Sequence, residues 1–158
     1  MLASLQWDEK YSVEIPEVDS QHKMLFELIE RLDSAIREKR GSSACDAILA
    51  ELVAYTRIHF ALEESLMRLS NYPDLLGHKQ QHEDLIAEVG QLQQKVASGA
   101  TAISFELMQF LRVWLTKHIQ QSDQKYALHF KESGFSDFSA WEAQARAAIR
   151  KRPWWRFW

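Results

Sequence analysis

At 158 residues the chain is long enough for one domain with a continuous core, and 46% hydrophobic with 26% charged residues is ordinary for a globular protein. Five glycines and three prolines leave little room for a loop-rich or all-β design, and a single cysteine, Cys45, excludes an internal disulfide and any sign of an oxidising compartment. The net charge of −3 is uneven: residues 146–158 hold five cations and no acid, so the rest carries −8, which argues against general nucleic-acid binding.

Met1 to Lys10 shows no basic segment followed by an apolar run, and no apolar stretch approaches the roughly 20 residues that span a bilayer, so a cytoplasmic protein is expected. Residues 1–18 carry Trp7, Tyr11, Val13, Ile15 and Val18 around Pro16, which disfavours a helix and predicts an extended arm across the fold. A first helix is expected from Asp19 or Ser20, either of which can cap it, to about Lys39, burying His22, Leu25, Phe26, Ile29, Leu32 and Ile36.

Arg40-Gly41-Ser42 breaks that pattern, and Ser43 to Asp46 resembles a capping box for a second helix, with Cys45 packed near its start. This helix turns Ile48, Leu52, Tyr55, His59, Leu62, Glu63 and Leu66 or Met67 inward, and Asn71 to Asp74 ends it. A third, about Asp74 to Ala97, carries His78, His82, Leu85, Ile86, Val89, Leu92 and Val96. Its Gly77 and Gly90 each cost about 1 kcal/mol relative to Ala and are expected at close packing.

Beyond the Ser98-Gly99 stop, a fourth helix from about Ile103 to Glu132 has Leu107, Phe110, Leu111, Trp114, Leu115, His118 and Ile119 in its stripe. His129 lies eleven residues after His118, about 16 Å along the axis, so a structural role is expected for it. After Gly134 a short fifth helix can start at Ser139, with Phe138, Trp141, Ala145, Ala148 and Ile149 on one face. Pro153 ends it before Trp154, Trp155, Arg156, Phe157 and Trp158.

The expected fold is therefore all-α: an antiparallel up-down four-helix bundle with an extended N-terminal arm and a short C-terminal helix plus aromatic and basic tail. The bundle and arm occupy 1–134 and the extension 135–158.

A four-residue step turns an α-helix about 40° beyond a full turn, so His59 and Glu63 share one face, as do His78 and His82. With His22 upstream and His118 and Asp123 downstream, four helices carry five imidazoles and two carboxylates. Imidazole suits first-row transition metals, and a carboxylate can bridge two of them, so seven ligands fit two ions better than one. His118 and Asp123 stand five apart, about 140° around a regular helix, and spacing alone does not pair them.

The sequence from about residue 7 to 131 resembles the hemerythrins, most closely their bacterial single-domain members. The resemblance runs through Trp7 and Tyr11, Asp19-Ser20-Gln21-His22, His59-x-x-x-Glu63, Tyr72-Pro73, His78-x-x-x-His82, and Trp114-Leu115-x-x-His118-Ile119-x-x-x-Asp123-x-x-Tyr126. It implies two iron ions joined by an oxo or hydroxo group, one held by His78, His82 and His118 and the other by His22 and His59, with Glu63 and Asp123 bridging. The second iron would keep an open position for dioxygen, and Leu25, Phe60, Trp114, Leu115 and Ile119 occupy the family's pocket positions. The one departure noted is Glu14, where the family's arm usually has glycine.

The function implied is reversible dioxygen binding, for carriage, storage or buffering, without catalysis. A second reading is an oxygen or redox sensor or interaction module signalling through the tail, and a weaker third is an enzyme consuming peroxide or nitric oxide. The tail's cations and aromatic residues suit self-association, contact with an anionic membrane surface, or a protein partner.

Overall fold

Apolar residues at three-and-four spacing fold as four helical rods in the computed structural model, which describes residues 4–99 and 105–134. A short 3-10 turn, Glu9–Tyr11, precedes α1 (Pro16–Arg37), α2 (Ser42–Leu69), α3 (Leu75–Ala97) and α4 (Phe105–His118). A π-helical segment, Ile119–Asp123, then runs without a break into α5 (Gln124–Glu132). α1 packs on α2 and α4, and α2 on α3 and α5, so the fold is the expected four-helix bundle, with α4 to α5 as its fourth rod. No helix among the described residues is long and apolar enough to cross a membrane.

The stripes read from the sequence meet in one core. Val18, Leu25, Phe26, Ile29 and Leu32 of α1 are buried with Leu49, Leu52, Phe60, Leu66 and Met67 of α2, Leu85 and Val89 of α3, and Leu107, Leu111 and Leu115 of α4. Cys45 is buried near the start of α2 as expected. His129 hydrogen-bonds the Ser70 carbonyl at 2.8 Å, tying α5 to the end of α2.

Helix boundaries differ from the expectation where backbone geometry overrides side-chain caps. α1 begins at Pro16, not Asp19, because proline at the first helical position gives up an N–H that has no helical partner and fixes φ near the helical value. Asp19 sits in that first turn and ties down the arm instead, accepting hydrogen bonds from Val13 N–H at 2.8 Å and the Ser12 hydroxyl at 2.6 Å.

α2 starts at Ser42 without a side-chain cap. Gly41, with φ +93°, makes the corner, so the expected Ser43 capping box does not set the boundary. An added Cβ at Gly77 would meet only the Asp74 carboxylate, a side-chain end that can turn aside, and Gly90 has nothing within 4 Å, so the expected close packing is slight at the first and absent at the second. The expected first residues of helix four, the fifth helix and the tail lie outside the described residues.

The N-terminal arm crosses the bundle as expected. Val13 and Ile15 are buried, Trp7 and Tyr11 pack on Phe26, and Gln124 of α5 donates to the Ser12 carbonyl at 2.7 Å. A charged clamp that the sequence reading passed over joins this arm to two helices. Arg112 of α4, 7% exposed, pairs with Glu30 at 2.5 Å and Asp33 at 3.1 Å on α1, and Glu30 also accepts from Leu5 N–H and the Ser4 hydroxyl.

Glu14 adopts φ +58°, the left-handed conformation that glycine takes without penalty, while its exposed carboxylate pairs with Lys131. The path of the arm is thus the one a glycine would give, at the cost of strain. Glu14→Gly should stabilise the protein and raise its urea midpoint, since the relieved strain exceeds an exposed ion pair. A urea midpoint lower than that of the parent would disprove it.

Candidate metal centre

Each helix supplies its part of the centre by its own periodicity. α1 turns His22 inward, α2 presents His59 and Glu63 one turn apart, and α3 presents His78 and His82 in the same way. The fourth rod needs a different device. Across the π-helical segment the Gln124 N–H reaches back five residues to Ile119 O, and the extra residue per turn brings Asp123 round beneath His118. His118 Nε2 and Asp123 Oδ1 are 3.0 Å apart, although a regular helix would have separated them.

All seven side chains are buried, from 0% exposure at His22, Glu63 and Asp123 to 6% at His118. Their ligand atoms form two groups, Glu63 with His78, His82, His118 and Asp123, and Glu63 with His22, His59 and Asp123. The carboxylates belong to both because each divides its oxygens. Glu63 Oε1 lies 3.4 Å from His59 Nε2 and 3.7 Å from His22 Nε2, while Oε2 lies 3.3 Å from His82 Nε2. Asp123 Oδ2 lies 3.2 Å from His22 Nε2, while Oδ1 faces His78 at 3.2 Å and His118.

Despite these short separations, His22 Nε2, His78 Nε2, Glu63 Oε2 and both Asp123 oxygens have no hydrogen-bond partner. Buried polar atoms rarely remain so, and here they converge on common space. Two donors held by one first-row ion about 2.1 Å away at right angles would stand about 3.0 Å apart, close to the spacings found. The donor set fits a pair of first-row metal ions.

The charges in this enclosure offset one another. Burial alone would depress the His22 pKa, but the Asp123 and Glu63 carboxylates raise it to about 9. Burial lowers His59 to about 4 against the pull of Glu63. Burial pushes both carboxylates upward, and the Asp123 charge adds to this at Glu63, yet the imidazoles, His59 foremost for Glu63 and His118 for Asp123, hold them below the usual carboxylate range. Burial and these two anions keep Tyr126 a neutral phenol, and it donates to Glu63 Oε1 at 2.8 Å.

Flat aromatic rings back two of the histidines. Phe60 stacks on His82 at 3.6 Å and 2°, and Trp114 on His118 at 4.4 Å and 13°. Both rings also border an apolar cavity of about 40 Å³, with Leu25, Leu52, Leu111 and Leu115 among its walls. The one hydroxyl in that lining, Thr56, is spent on the Leu52 carbonyl at 2.7 Å. Of the five residues expected around an open position, Leu25, Phe60, Trp114 and Leu115 line the cavity. Ile119 is fully buried in the π-helical segment and does not.

Three supporting residues went unassigned in the sequence reading. Gln21 Oε1 accepts from His59 Nδ1–H at 2.9 Å, Glu64 Oε1 accepts from His82 Nδ1–H at 3.2 Å, and Tyr126 holds Glu63. Gln21 and Glu64 each sit beside a site residue in sequence, about 100° further round the helix, where a side chain reaches sideways to the neighbouring rod. That adjacency was the available signal.

Chelator-stripped protein should lose stability as pH rises from 6.5 to 9, on the order of 3 kcal/mol from His22, with His118, also raised by Asp123, adding in the same direction. A histidine whose pKa is raised on folding stabilises fully below its unfolded value near 6.5 and loses that contribution as pH climbs through the folded value, here about 9. Urea titrations across this window check it, and His22→Gln should reduce the slope to the part that His118 contributes.

The chain is similar to known proteins over the region that builds this centre. The family model described as the hemerythrin HHE cation binding domain matches residues 13–128. A bacteriohemerythrin of Stenotrophomonas maltophilia is 35% identical over 126 residues, covering 80% of this chain and 81% of that protein. A hemerythrin-like protein of Naegleria gruberi is 33% identical over 120 residues, or 76% and 88% of the two chains. The crystal structure of a wild-type hemerythrin superposes with a TM-score of 0.76 at 28% identity, covering 81% of this chain and 98% of the other. Matched by the domain model over most of its length and by these relatives at one-third identity, the chain belongs to the hemerythrin family.

Proposed function

We propose that the protein binds dioxygen reversibly at a non-haem di-iron centre, for carriage, storage or buffering. In this reading His78, His82 and His118 hold one iron, His22 and His59 the other, and Glu63 and Asp123 bridge. Family membership implies a non-haem metal centre. The observation that carries the reading is the division of each carboxylate's oxygens between the two histidine groups, which suits a bridged pair and serves no purpose for a single ion.

Two ferrous ions held by these residues would supply two electrons to dioxygen. The protein's part is to hold and to exclude. One group has three imidazoles and the other two, so the poorer group is where an outside ligand finds room. Five neutral imidazoles and two carboxylates bring less negative charge than the four carboxylates of di-iron enzymes in related bundles, which favours binding over oxygenation.

The apolar cavity supports the same reading. Its walls carry no acid or base, and a small apolar space admits a diatomic gas while remaining unattractive to water. Tyr126 steadies Glu63 through a hydrogen bond and, with its pKa raised well above the usual phenol value, keeps its proton.

Anaerobic ferrous reconstitution of the full chain followed by repeated cycles of oxygen and argon tests this reading. Two irons per chain and a visible charge-transfer band that comes and goes with oxygen are expected. A band that never reverses would point to catalysis or simple oxidation. Glu63→Ala should abolish paired binding, and Leu115→Asp should speed irreversible oxidation several-fold by admitting water and a proton source beside the centre.

A further inference from the structure

His59 and His82 each offer their outward ring nitrogen to a side chain of an adjacent helix, and the two partners differ in charge. His59 Nδ1 meets the neutral amide of Gln21 at 2.9 Å, on the side with two histidines. His82 Nδ1 meets the Glu64 carboxylate at 3.2 Å, on the side with three. Building on the ligand assignment above, we propose that Glu64 is a positioning residue that fixes His82 as its Nδ1–H tautomer and gives the five-donor group the tighter hold on a divalent ion, so that this half of the centre fills first.

The geometry gives Glu64 a direct hold on His82. An ionised carboxylate only accepts hydrogen bonds, so Glu64 draws the ring hydrogen to Nδ1, in competition with Glu63 on the other side of the ring, and leaves the lone pair on Nε2 for a metal ion. Nε2 is the atom facing the centre, 3.3 Å from Glu63 Oε2 and 3.1 Å from His118 Nε2. Phe60 covers one face of the ring, opposing rotation about the bond that would swap the nitrogens.

Glu64 is itself held. Its second oxygen lies 3.4 Å from Arg68 one turn along α2, and its side chain is 14% exposed, so surrounding water screens it only in part. An anionic acceptor draws the Nδ1 hydrogen more strongly than an amide oxygen does, and the imidazole becomes a stronger donor at Nε2. Gln21 fixes the His59 tautomer in the same manner without that gain. The donor count alone also favours the five-donor group, and Glu64→Gln separates the two effects because it leaves the count unchanged.

The test is a zinc(II) titration of the full, chelator-stripped chain, followed by calorimetry and by 15N spectra of the imidazole rings. Two steps are expected, the first moving the Nε2 signals of His78, His82 and His118 and the second those of His22 and His59. Glu64→Gln should weaken the first step by about 10- to 100-fold and spare the second. Glu64→Asp should recover most of the loss, and Gln21→Leu should weaken the second step alone. Before zinc is added, His82 should be the Nδ1–H tautomer in the parent and a mixture in Glu64→Ala, a difference that simple loss of packing would not produce. The proposal is overturned if Glu64→Gln leaves the first step unchanged or weakens both steps equally, or if His82 carries its hydrogen on Nε2 in the parent. Failure of the parent to bind two zinc ions would instead sink the ligand assignment, with the tautomer still deciding what Glu64 does.

Discussion

Two carboxylates with no exposure at all lie at the centre of a four-helix bundle, and the rest of the structure follows from making that tolerable. An uncompensated buried carboxylate would take up a proton or unfold its surroundings. Glu63 and Asp123 do neither, because five imidazoles from four helical rods surround them and hold both below their usual range. The cluster makes demands on every rod, and no helix could shift along its neighbour without leaving one of these charges unpaired.

The demand is felt most in the fourth rod. A continuous α-helix cannot aim both His118 and Asp123 at one point, so five residues run as π-helix, a geometry with poorer hydrogen bonds found mostly where function requires it. The arm and the charged clamp answer a related need. Arg112 bridges α4 to Glu30 and Asp33 of α1, and the arm ties itself to Glu30, Asp19 and Gln124. Together these contacts fix the fourth rod against the first, Asp19 and Gln124 close to the level where His22 must meet Asp123 and Arg112 about three turns away from it.

The surroundings of the two donor groups are unequal. The three-histidine group has aromatic rings flat against His82 and His118 and a carboxylate behind His82, whereas the two-histidine group has an amide behind His59 and no partner at His22 Nδ1. Differences of this kind in the supporting shell tune a metal pair whose direct ligands are otherwise alike. The apolar cavity, bounded by Phe60 and Trp114, adds a volume from which charged groups are excluded.

The sequence by itself determined the helical class, the inward stripes, and the pairing of His59 with Glu63 and of His78 with His82, because each is a local consequence of 3.6 residues per turn. It also pointed to His22, His118 and Asp123, though for Asp123 the family pattern did what spacing could not. Tertiary structure decided the rest. Pro16 rather than Asp19 opens α1, and Gly41 rather than Ser43 opens α2, because backbone φ at a corner is set by the path the chain must take to its neighbour. The π-helical turn exists because Asp123 must reach histidines on other helices, and the supporting contacts of Gln21, Glu64, Tyr126 and Arg112 depend on which rod lies alongside. Ile119, next to His118 along the chain, is fully buried in the π-helical segment and is not among the walls of the cavity that Leu115 lines. Local periodicity fixes which face a side chain takes, but only the packed arrangement of rods fixes what that face meets.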